Sequence, residues 1–198
     1  MRLDKLIEAV LVAALVVLSA SYAHADEFFA RLTGLQEIGG LGVGETGAIR
    51  SLGSGTLQLS VDKNARTAAF TLTYSDVGTT PPTTGAVTQA HIHFGKRRVA
   101  GGIFVFFCTN LNNGPVGTPT CPSPSATLTG TFAPASVVGP TAQNVAPGDF
   151  DALMDALESN TAYANIHTVG FGAGEIRGQI HRVRRDKDDK HDDKDHGR

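Results

Sequence analysis

Tryptophan is absent, cysteine occurs only twice, and charged residues make up just 18% of the chain. From Asp26 to His181 eight Lys and Arg stand against eleven Asp and Glu, a net of −3 with histidine neutral. Such a balance does not suggest nucleic acid or an anionic membrane as a partner. Long apolar runs are equally scarce. One stretch of ten, Ala9–Leu18, is the longest, and a bilayer core needs about 20 helical residues. No Gly-x-Ser-x-Gly elbow is present, and Gly53-Ser54-Gly55 reads as the turn before a strand. A Ser/His/Asp hydrolase therefore has no support.

What the N-terminus does contain is ordered. Arg2 and Lys5 precede the apolar run, and small residues end in Ala23-His24-Ala25. A positive start, a short apolar core and small residues at −3 and −1 are what signal peptidase requires. Residues 1–25 are expected to be a signal peptide cleaved after Ala25, with an uncleaved anchor as the alternative that Asp4 and Glu8 favour slightly. The product would be secreted or periplasmic, with no membrane span after processing. In that oxidising setting Cys108 and Cys121 most simply pair with each other. The loop they close holds Asn112-Asn113-Gly114-Pro115 and Pro119 and too few further ligands for a metal.

Strand patterns dominate residues 26–181. Leu57, Leu59 and Val61 alternate on one face, Asp62-Lys63-Asn64-Ala65 turns the chain, and Phe70, Leu72 and Tyr74 alternate again. That predicts an antiparallel hairpin. Further strands are expected at 27–36, 89–94, 102–108, 126–132, 162–168 and 175–182, separated by Gly, Pro, Ser and Thr clusters. Many short punctuated strands imply an all-β antiparallel Greek-key barrel or sandwich. One short helix interrupts it, with Phe150, Leu153, Met154 and Leu157 spaced i, i+3, i+4 and i+7 behind Pro147 and Asp149. Residues 182–198 carry seven cations, six anions and a single Val, and are expected to be a charged disordered tail.

The polar constellation is where chemistry is expected. On a strand, residues two apart share a face, so His91 and His93 point together while Ile92 enters the core. Asn165-Ile166-His167 repeats the form, with Tyr163, Asn165 and His167 opposite Ile166. A third strand sets Ile176, Gly178 and Ile180 against Glu175, Arg177, Gln179 and His181. If the three strands are neighbours, His91, His93, His167, Glu175 and Arg177 form one patch. Three neutral imidazoles there would hold copper or zinc with one position open. Alternatively the histidines bond Glu175, Asn165 and backbone groups, with Glu175 pairing Arg177 or Lys96. Lys96-Arg97-Arg98 reads as a solvated turn or, alternatively, an anion-binding rim.

These motifs resemble a known family. Phe29-Ala-Arg-Leu-Thr-Gly-Leu-Gln-Glu37 is similar to the opening strand of the chordin-type (CHRD) domain. Ala90-His-Ile-His-Phe-Gly95 is similar to its central motif, and Tyr163–Thr168 with Gly174–Ile180 to its closing one. The segments around Cys108 and Cys121 look like secreted bacterial members. The resemblance implies an extracellular β domain associated with protein binding. A weaker similarity is to the copper/zinc superoxide dismutase barrel, whose His-x-His strand matches at His91 and His93, with His167 as a further match. The long metal loop of that enzyme has no counterpart between Gly95 and Gly130.

The expectation is an extracytoplasmic binding or interaction module for an extracellular protein or small ligand. In that reading His91, His93 and His167 are candidate metal ligands, and Asn165, Glu175, Arg177 and Gln179 are supporting or anion-binding groups. A copper- or zinc-dependent redox enzyme is the alternative.

Overall fold

The computed structural model describes residues 25–38, 47–82 and 85–184. The expected signal segment before Ala25 and the tail after Arg184 lie outside the described residues. Among the described residues nine strands run in chain order: β1 Asp26–Thr33, β2 Ser54–Asp62, β3 Thr67–Ser75, β4 Val87–Phe94, β5 Gly102–Thr109, β6 Ala126–Phe132, β7 Ala162–Thr168, β8 Ile176–Gln179 and β9 His181–Arg182. The expected strand over 175–182 is thus β8 and β9, parted at Ile180. Helix α1, Phe150–Glu158, is the one α-helix among the described residues.

All strand pairs are antiparallel, in the order β5-β4-β7-β8-β1-β2-β3-β6, with β9 also on β1. The sheet curls into a nearly closed barrel, and its two end strands, β5 and β6, face one another across a seam containing Phe107 and Phe132. Phe70 reaches both rings, at 5.0 and 4.6 Å between centres.

The β2–β3 hairpin forms as its alternation requires, pairing Leu57 with Leu72 and Leu59 with Phe70. Its turn is held by the Asp62 carboxylate, which accepts from the Asn64 and Ala65 amides, each at 2.9 Å. Helix α1 starts where Asp149 caps it, accepting from the Ala152 amide at 3.0 Å. An N-cap of this kind satisfies a donor that the helix itself leaves free. Phe150, Leu153, Met154 and Leu157 are all buried in the barrel core.

Cys108 and Cys121 form a disulfide with their Cα atoms 5.1 Å apart. Asn110 fastens the same loop, accepting from the Cys121 amide and donating to the Val87 and Cys121 carbonyls. The central strand β7 is buried at every residue. An alternating sequence would leave one face in water, so something covers its polar side.

Candidate metal centre

Register brings the polar residues together. Across β4 and β7, His91 lies opposite Asn165, His93 opposite Tyr163 and Gln89 opposite His167. Across β7 and β8, Asn165 faces Arg177 and Tyr163 faces Gln179. Three adjacent strands therefore present His91, His93, Tyr163, Asn165, His167, Arg177 and Gln179 on one surface. Ile92, Ile166 and Ile176 fill the core behind it.

That surface is not open to water. His91, His93 and His167 are 0, 7 and 5% exposed, hardly different from the fully buried Ile92. Strand alternation alone predicts buried isoleucines with flanking histidines less buried; Ile92 and Ile166 are fully buried, and the histidines follow them closely because their face is covered. Two loops form the cover. The Gly101 carbonyl takes a hydrogen bond from His93 Nδ1 at 2.9 Å, and the Gly172 carbonyl takes one from His167 Nδ1 at 3.0 Å. On β5, whose pairing to β4 is irregular on either side of His91 and Ile92, Phe106 closes edge-on over the His91 ring at 4.4 Å.

These bonds decide tautomers. A carbonyl can only accept, so His93 and His167 must each carry the proton on Nδ1 and a lone pair on Nε2. His91 Nδ1 lies 3.3 Å from His167 Nε2. The Nε2 atoms of His91 and His93 are buried with no hydrogen-bond partner. One ligand atom from each of the three rings lies within 4.8 Å of the others. Burial, reinforced by the neighbouring rings, pushes the His91 and His93 imidazolium pKa values down to about 2 and about 3. Burial also lowers that of His167, against the pull of the Gly172 carbonyl. All three rings are neutral near pH 7, the state a metal needs.

Arg177 lies beside the trio and its guanidinium carbon sits 3.4 Å from the centre of the Tyr163 ring. Tyr163 itself stacks on His93 at 4.8 Å with planes 4° apart. Arg177 Nη2 donates to the Lys96 and Val99 carbonyls, and Gln179 Nε2 donates to those of Gly95, Asn160 and Ala162. The supporting groups thus tie down loops and strand ends, and the histidines bond backbone carbonyls and one another. Neither Asn165 nor Glu175 is a histidine partner.

Glu175 departs from the expected patch. Its carboxylate takes hydrogen bonds from Ser51, Thr168 and the Gly78 amide, and it pairs with neither Arg177 nor Lys96. Residue 175 precedes β8, so strand alternation does not govern it. Glu37 is the carboxylate that stands near Arg177 instead. A 3-10 turn at Gly34–Gln36 returns the chain after β1, with the Glu37 amide donating to the Gly34 carbonyl. Burial pushes the Glu37 carboxyl up to about 7, although Arg177 pulls it down. No spacing rule in the sequence points to Glu37, because a turn rather than a strand delivers it.

An antiparallel barrel with a loop-covered trio of neutral histidines on two neighbouring strands, β4 and β7, defines an all-β domain with a candidate metal centre. The CHRD domain family model matches residues 28–180, and the chain belongs to that family. Searches of the curated proteins and of the solved structures found no match.

Proposed function

We propose that this CHRD-domain protein works outside the cytoplasm as a binding module organised around one transition-metal ion, copper or zinc, held by His91, His93 and His167. The observation that carries the reading is the pair of buried, unpartnered Nε2 atoms of His91 and His93, beside a third ring whose Nε2 lone pair meets only His91 Nδ1, at 3.3 Å. A buried polar atom left without a partner costs about 1–3 kcal/mol, and a cation shared by the rings would remove that cost. Zinc–nitrogen bonds of about 2.0–2.1 Å require the ligand atoms to draw closer than their present span, a shift within the reach of side-chain rotation. The Gly101 and Gly172 carbonyls would act as the outer shell that fixes ring orientation.

Burial favours holding the metal over turning over a substrate on it. A catalytic metal keeps a coordination position open, and rings 0–7% exposed leave little approach. The redox-enzyme alternative is the weaker reading for that reason. A bound ion would join β4 to β7 and, through the ring hydrogen bonds, to both covering loops. The N-terminal signal pattern, the Cys108–Cys121 disulfide and the family together support a site of action at the cell exterior. The partner is then an extracellular protein or a small ligand.

The test is metal titration of the mature chain carrying His191→Ala and His196→Ala, which removes the tail's own imidazoles. One copper or zinc per chain at micromolar affinity or tighter is expected. His91→Ala and His167→Ala should each weaken it about 100-fold or more. Binding indifferent to both substitutions would sink the reading.

A further inference from the structure

Beside the histidines, and on the other side of Arg177, lies a cleft of about 350 Å³ lined by Leu35, Glu37, Ile38, Arg97, Arg98, Arg177 and Gln179, among others. Its size is in the range that small ligands occupy. Among the described residues, three guanidinium groups against one carboxyl make it cationic. Arg97 and Arg98 are exposed at its rim, while Arg177 is buried and held by two backbone carbonyls. Planar guanidinium groups recognise carboxylates with paired hydrogen bonds.

Two residues of the lining also carry buried acceptors in want of donors. Glu37 and Gln179 are 4 and 5% exposed, and each carries a buried Oε1 with no hydrogen-bond partner. Gln179 spends its amide nitrogen on three carbonyls, so its oxygen remains free for a ligand. A bare anion would satisfy the arginines and leave both acceptors unpaired. A neutral sugar would do the reverse. Only a molecule with both functions satisfies the whole lining.

The geometry points to a second ligand site in this cleft, for a small organic acid whose carboxylate meets Arg97, Arg98 and Arg177. Hydroxyl or ammonium groups on the same molecule donate to Glu37 and Gln179. Hydroxy acids, amino acids and acidic sugars share that chemistry. No histidine is among the described residues that line the cleft, so the site does not depend on the metal reading.

Calorimetric titration of the full mature chain, stripped of metal with EDTA and then dialysed free of the chelator into metal-depleted buffer, separates the two. Galacturonate, lactate and glutamate are the two-function probes; acetate, galactose and inorganic phosphate are the one-function controls. At least one two-function probe should bind tenfold or more tightly than every control. Arg97→Ala with Arg98→Ala, on exposed side chains and with an unchanged melting temperature, should weaken that probe tenfold or more, and Glu37→Gln should weaken it too. The proposal is overturned if no two-function probe outbinds acetate, if phosphate binds tightest, or if the double arginine variant leaves affinity unchanged.

Discussion

Glu37 illustrates how one residue carries a cost that the fold retains. Its carboxyl titrates at about 7 in the folded chain against an ordinary value of 4.5, chiefly because it is buried. Between those values the unfolded chain has released the proton and the folded chain has not, so stability falls as pH rises. Below pH 4.5 both states are protonated and the cost is absent. Stability changes by about 1.4 kcal/mol for each pH unit across that interval, so the penalty reaches about 3 kcal/mol above pH 7. Glu37→Gln should therefore gain on the parent by that amount between pH 4 and pH 8, measured by urea unfolding. A difference that stays constant with pH would remove the buried-carboxyl account. The same small region shows why Gly174 is glycine. It lies at φ +132°, and a Cβ there would come 2.4 Å from Asn165 Oδ1 and 2.8 Å from Glu37 Oε1.

At the scale of elements, β8 is the piece whose position matters most. It sits between β7 and β1 and brings Arg177 and Gln179 beside the histidine strands. Gly178 permits this, since a Cβ at that position would lie 2.5 Å from the Arg31 carbonyl oxygen of β1. That neighbour is backbone and cannot rotate away. Gly178→Ala should cost about 1–3 kcal/mol, as overpacking does, and lower the melting temperature by several degrees. An unchanged unfolding midpoint would show that β8 and β1 can part freely. Helix α1 and the β2–β3 hairpin are legible in the sequence because periodicity and capping are local. The loops that cover β4 and β7 have no such period, and their bonds to His93 and His167 come from backbone carbonyls that any residue supplies.

The whole molecule should be acid-sensitive through its histidine trio. All three rings have folded pKa values below the ordinary 6.5. Below that value the unfolded chain takes up protons that the folded chain excludes. The histidine contribution is therefore complete above pH 6.5 and is lost progressively as pH falls. Each ring contributes at most about 1.4 kcal/mol per pH unit, so three give up to about 4. Glu37 opposes them by up to about 1.4 over the overlap from 4.5 to 6.5. Metal-free protein should lose stability steeply between pH 6.5 and 5 in denaturant unfolding, and His167→Gln should flatten the slope. A stability that is level or rising through that interval would contradict neutral buried rings.

Legible in the sequence alone are the all-β antiparallel fold, the strand faces, the helix and its cap, the pairing of two cysteines, and His91, His93 and His167 as candidates on their strands. Each of these follows from period, spacing or composition, which are local properties of the chain. The folded chain adds that β4, β7 and β8 are neighbours, that loops bury the polar face, and that Glu37 rather than Glu175 stands by Arg177. Those outcomes depend on strand order and on where turns return the chain, and neither leaves a periodic trace. Strand alternation can say which residues share a face; it cannot say what lies on top of them.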